Sequence, residues 1–159
     1  MSAATVVVVG IGSPILSDDA VGLRIAHRAA DLLKDTDVAV TEAAVGGLGL
    51  LDVICGYRAA VLVDASCTGR PPGSCERFDM QASADSLRLS HQHGVSFAQA
   101  IAFGRQCGAE VPDPVVAYAV EVQDPFTFGE ELTPAVAQAV EPVAWRVAAE
   151  ARRLTNHTS

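Results

Sequence analysis

The sequence predicts an α/β fold, a mostly parallel sheet held between helical layers. Three observations lead there. Residues 6–9 and 59–63 are continuous apolar runs, the mark of strands buried on both faces. Segments with helical spacing separate the strand-like runs, so strands and helices alternate along the chain. With 159 residues, half of them apolar, the chain has enough material for one domain with a sizeable core.

Each element has its own signal. The run at 6–9 is a first strand, and "GIGSPI" turns the chain out of it. A helix over roughly 19–33 follows, with Ser17 or Asp18 able to cap it. "DVAVTEA" reads as a short second strand, and "GGLGLLDVICG" as a second helix or helical turn weakened by its glycines. "AAVLVDAS" is a third buried strand ending at Asp64. "GRPPGS" is loop. "CERFDM" alternates in polarity and suits a short edge strand. A helix over roughly 94–106 places Phe97 and Ile101 at i, i+4, and either Ser90 or Ser96, the latter with Gln99, can cap it. "DPVVAYAVE" is the last strand. "TPAVAQAVEPVAWRVAAEARRL" is the clearest helix, with Thr133 as cap and Pro134 in the first helical position. Val136, Val140, Val143, Val147 and Leu154 form its apolar stripe, and Pro142 should bend it. The tail "TNHTS" is expected to fray. Nothing marks a linker or repeat, so residues 1–159 are expected to form a single domain.

Charge excludes some partners. The formal charge is −8, and the only lysine is Lys34, so a nucleic-acid surface is not expected. No apolar run is long enough to span a bilayer, and no basic region precedes Val6 as in a signal peptide. The expectation is a cytoplasmic protein with no membrane insertion. The four cysteines form no CxxC, which argues against zinc-ribbon and thioredoxin-type chemistry. Cys67 and Cys75 flank "TGRPPGS" and can approach each other or a metal; the plainer reading is reduced thiols.

The glycine loop invites a nucleotide-binding reading, but "GIGSPI" lacks the third glycine, and Asp18 and Asp19 stand where a phosphate would have to approach. Asp19 has a structural use in any case, because a carboxylate in a helix's first turn gains about 0.3–1 kcal/mol from the macrodipole. Asp64 is harder to explain away. At the end of a buried strand a carboxylate must be hydrogen-bonded, paired or bound to a cation. In open α/β sheets ligands bind outside the carboxyl ends of the strands. If the strand order begins 2-1-3, the first-loop carboxylates and Asp64 face one crevice. "SHQHG" adds two histidines, His91 and His93, in a short polar loop. One imidazole with two carboxylates suits a divalent transition ion and leaves coordination positions open, as functional sites do. No G-x-S-x-G elbow and no HExxH is present.

"GIGSPILSDDAVGLRIA", "VLVDAS", "SHQHGVSFAQAI" and "VVAYAVEVQDPFTFGEELTPAV", in that order along nearly the whole chain, resemble the nickel–iron hydrogenase maturation endopeptidases, peptidase family M52. The first and third blocks are the specific ones. The resemblance implies a three-layer α/β/α sandwich around a twisted sheet of about five strands. It implies an endopeptidase that removes the C-terminal extension of a hydrogenase large-subunit precursor once nickel is in place. It further implies Asp19, Asp64 and His93 as the nickel-contacting and catalytic trio, with Asp19 the second acid of its pair and His93 the histidine preceding "GVSFAQAI". Nickel is then expected to come with the precursor rather than reside in the enzyme, which is expected to be a monomer, and His91 is expected to be dispensable. Ser13, Val45, Cys67 and Cys75 depart from the family pattern. Water activation can run through the metal or through Asp19 or Asp64 as general base. Two alternatives are an α/β hydrolase with its own permanent divalent metal, held by His91 and His93, and a non-catalytic nucleotide- or small-molecule-binding module.

Overall fold

The computed structural model describes residues 4–44, 48–80 and 97–157. Five strands form one sheet: β1 (Val6–Ile11), β2 (Ala39–Ala43), β3 (Ala59–Ser66), β4 (Cys75–Asp79) and β5 (Val115–Glu121). Their order is β2-β1-β3-β5-β4, with β4 alone antiparallel at one edge. β1, β3 and β5 are the central strands and are buried on both faces almost throughout. Their unbroken apolar runs follow from that position, since neither face of a central strand meets water. β4 keeps the alternation of an edge strand, with Phe78 half-buried between exposed Arg77 and Asp79.

Among the described residues four α-helices cover the sheet: α1 (Val21–Leu32), α2 (Gly49–Ile54), α3 (Phe97–Gln106) and α4 (Pro134–Asn156). Alternate residues of each strand serve opposite helical layers. Val6 and Val8 of β1, with Val61 and Val63 of β3, pack under α1 and α4 through Ile25, Ala29, Val143 and Val147. Val7 and Val9, with Ala60 and Leu62, pack against Leu50 and Ile54 of α2 and Phe97 and Ile101 of α3. The result is an α/β/α sandwich with two cores, one on each face of a mostly parallel five-stranded sheet. Pro134 opens α4, and the helix runs on through Pro142. Both α1 and α4 lie along one face, so the chain's longest helix shields the strands that carry the site.

Two expectations about caps are corrected. The chain after β1 first makes a 3-10 turn, Ser17–Ala20, and α1 starts only at Val21. Neither Ser17 nor Asp18 caps it, because neither helical start has a side-chain cap bond. Thr133 does occupy the N-cap position of α4, yet its hydroxyl donates to Asp18 Oδ2 instead of accepting from the helix. Cys67 and Cys75 form no disulfide; all four cysteines are free thiols. Ser90 and Ser96, the candidate caps of the third helix, lie outside the described residues, as do His91 and His93.

Candidate active site

β2 and β3 lie on opposite sides of β1, so the chain reverses its direction of progress across the sheet between β1 and β3. The crevice at the carboxyl ends of such a pair is where open α/β sheets bind ligands. Asp19 lies on the 3-10 turn leaving β1, and Asp64 lies in β3 one residue beyond the last β1–β3 pairing, Gly10 with Val63.

Glycines bring the two carboxylates to one level. A Cβ on Gly22 would stand 2.5 Å from both the Ile11 and the Val63 carbonyl oxygens, so only glycine lets α1 start directly on the ends of β1 and β3. Gly12 has φ +154°, and a Cβ there would lie 2.0 Å from the Asp19 carbonyl oxygen. The glycine loop therefore serves close backbone packing. Ser17 takes φ +28°, a strained value for a residue with a side chain. It is held there by its amide on the Gly129 carbonyl and its hydroxyl on that of Glu131.

The adjacent aspartates have different surroundings. Asp18 is fully buried and saturated: it accepts from the Gln123, Asp124 and Thr133 amides and from the Thr133 hydroxyl, at 2.7–3.0 Å. Its charge sits at the N-terminal end of α4, where the helix dipole favours it, and not at the start of its own helix. Asp19 accepts one bond, from the Ser13 amide at 2.9 Å, and its other oxygen, Oδ1, is buried with no partner among the described residues. Asp64 repeats that pattern. Its Oδ1 accepts from the Ala65 amide at 2.8 Å, and its buried Oδ2 has no partner among the described residues. Burial pushes the Asp64 carboxyl well above the usual carboxylate range; the Ala65 amide opposes this, and the nearby charge of Asp19 adds to it.

Two buried carboxylate oxygens, coupled by like charge and short of donors, make a site for a cation or a proton. Oxygen donors of this kind suit a hard or borderline divalent ion. Among the described residues no three His, Cys, Asp or Glu side chains gather as a complete metal site. The third member expected from the sequence, His93, lies outside the described residues.

Other carboxylates nearby are satisfied within the chain. Glu121, at the end of β5, accepts from the Thr68 and Gly69 amides and the Thr68 hydroxyl. Beside the first loop a cleft of about 510 Å³ opens, lined by Pro14, Ala20, Leu23, Arg24, His27, Glu42 and Glu130. Gly22 and the clamping role of Asp18 are not among the features the sequence singles out. A glycine in a helix's first turn costs about 1 kcal/mol and therefore asks for a packing reason, which was the available signal for Gly22. Asp18 carried none, because its partners are more than a hundred residues away.

No family model matches the chain, and no curated protein sequence matches it. Solved structures do. The hydrogenase maturating endopeptidase HybD from E. coli superposes with a TM-score of 0.74 at 22% identity, over 93% of this chain and 92% of that one. The [NiFe] hydrogenase maturation protease HycI from Thermococcus kodakarensis gives 0.70 at 21%, over 92% and 91%. A hydrogenase 3 maturation protease gives 0.67 at 19%, over 94% and 92%. The chain has the fold of these proteins over more than nine-tenths of its length.

Proposed function

We propose that this protein is a hydrogenase maturation endopeptidase, which removes the C-terminal extension of a nickel–iron hydrogenase large-subunit precursor after nickel has been inserted. The fold it shares with such proteases over more than nine-tenths of both chains supports the reading, as do the sequence blocks around Asp19, Asp64 and His93. The observation that carries it is the pair of oxygens, Asp19 Oδ1 and Asp64 Oδ2, that are buried at the junction of β1 and β3 without a partner among the described residues.

Nickel is part of the substrate in this reading. Asp19 and Asp64 offer it two carboxylate oxygens, and His93 offers an imidazole nitrogen. These are at most half the donors of an octahedral ion, so the remainder come from the precursor. A precursor without nickel forfeits the contact and leaves two buried like charges facing each other. Hydrolysis then needs one proton acceptor. A water oxygen bonds to the scissile carbonyl carbon, an aspartate of the pair takes the water's proton and passes it to the leaving nitrogen, and the C–N bond breaks.

The test compares two preparations of one precursor. The nickel-loaded form should lose its C-terminal extension on addition of this protein, and the nickel-free form should be cut at least about 100-fold more slowly, equivalent to about 2.7 kcal/mol of lost recognition. Equal cleavage of both would remove nickel as the recognition signal. Stoichiometric metal that survives chelation of the purified protein would instead favour a hydrolase with its own permanent ion.

A further inference from the structure

The loop that follows β5 carries two aromatic side chains that nothing in the fold buries. Phe126 is 74% exposed and Phe128 79%. Ile15, also exposed, lies on the segment beside them: the Gly129 amide donates to the Ile15 carbonyl at 2.9 Å, and the Ser17 amide donates to the Gly129 carbonyl at 3.0 Å. These two segments form a short parallel bridge at Leu16 and Gly129. Ile15 and the loop that carries Phe126 and Phe128 thus lie on two bridged segments, next to the turn that carries Asp19.

The patch is preformed. Asp18 grips the aromatic loop at both ends, through the Gln123 and Asp124 amides on one side and Thr133 on the other. Arg24 binds the Glu130 carbonyl, and Pro125 is buried between the two anchored stretches. The Asp124 carboxylate accepts from the Phe126 and Thr127 amides, which fixes the turn that presents Phe126. Rigid, exposed aromatics make strong binding anchors because little ordering entropy is lost when they are covered. Around them stand Asp124, Glu130 and Glu131, with Arg24 the basic exception, in a chain whose net charge is −8. An acidic rim around an apolar centre is complementary to an apolar patch bordered by basic side chains.

We propose that Ile15, Phe126 and Phe128 are the docking surface for the protein substrate, receiving an apolar patch bordered by Lys or Arg beside the metal that the substrate presents. The inference rests on the proposed function for the identity of that substrate. Its physical content is that one short segment, residues 15–19, ties recognition of the partner's surface to recognition of its metal.

The experiment uses the double variant Phe126→Ser/Phe128→Ser and the nickel-loaded precursor, with cleavage and direct binding measured separately. The expected result is an unchanged melting temperature, a KM raised at least about ten-fold and an unchanged kcat, since exposed anchors add binding rather than chemistry. Should the wild-type protein bind the precursor without cutting it, and the variant bind at least ten-fold more weakly, the docking surface stands and the peptidase reading fails. Cleavage by the wild type with an unaltered KM in the variant overturns the docking surface and leaves the peptidase reading intact. Failure of the wild type both to bind and to cut overturns both. A wild-type dimer in sedimentation that the variant converts to monomer assigns the patch to a second copy and overturns the proposal.

Discussion

Buried carboxylates occur in two regions of this protein, and the fold treats them in opposite ways. On the α4–β4 flank, Glu150 receives Arg77 at 2.5 Å, Arg153 at 2.8 Å and the Tyr118 hydroxyl at 3.3 Å. Burial works to raise its carboxyl, yet the two guanidinium groups outweigh that and hold it below the usual range. At the strand-end lip, Asp19 and Asp64 each receive one backbone amide, and each keeps a buried oxygen without a partner among the described residues. There burial and like charge hold the Asp64 carboxyl up. The same chain that completes the hydrogen bonding of Glu150, Asp18 and Glu121 leaves these two incomplete. Two such incomplete carboxylates in one crevice mark a place where a group from outside can supply the missing contacts.

The contrast is sharpest between neighbours. Asp18→Ala should destabilise the protein by about 2–3 kcal/mol, because it leaves the part-buried Gln123, Asp124 and Thr133 amides without their acceptor. Asp19→Asn should leave the stability of the isolated protein unchanged or slightly higher. Urea unfolding of both variants measures the difference, and equal losses at the two positions would remove the distinction between a structural and a functional aspartate.

Glu150→Gln comes next, with a loss of about 1–2 kcal/mol for weakening charge-assisted hydrogen bonds. Its pH dependence has a definite sign. A carboxyl held low in the folded state contributes stability that is present above its ordinary value of 4.5 and is lost as pH falls through the folded value. The gap between wild type and variant should therefore close on acidification below about pH 4.5.

Asp64→Asn has a smaller effect on stability than Glu150→Gln and the opposite sign. Its carboxyl is held up, so the folded form binds the proton more tightly than the unfolded chain does. Wild-type stability should then fall as pH rises from the ordinary aspartate value of 3.8 towards the raised folded value. The variant should lack that decline and be more stable at neutral pH by about 1 kcal/mol, the exchange of stability for function seen at sites built for a ligand. Denaturation curves across this pH range decide the point, and a destabilised variant would mean that Asp64 is satisfied after all.

Much of the fold was legible because its signals are local. The valine run of β1, the "AAVLVDAS" of β3 and the spacing of Val136, Val143 and Val147 on α4 each report burial of the residue's own element. Asp64 was legible for the same reason, since a carboxylate ending an apolar run is anomalous in any context. The start of α1 was misread, because a Ser-Asp-Asp sequence before a helix is the ordinary cap signal, and here a partner distant in sequence claimed Asp18. Gly22 was not legible in the sequence, because the Ile11 and Val63 carbonyls that exclude a Cβ there come from two separate strands.

The sequence by itself determined the α/β class, the alternation of elements and the presence of acid at the ends of two strands, because periodicity and burial are written residue by residue. Only the tertiary structure decided which acid is a clamp and which is left open. Asp18 and Asp19 are chemically identical and adjacent, and they differ only in what approaches them. The loop after β5 brings amides and a hydroxyl to Asp18 from more than a hundred residues away. The arrival of β3 beside β1 sets a second carboxylate near Asp19. Hydrogen-bond saturation is a property of the assembled neighbourhood, and no local pattern encodes it.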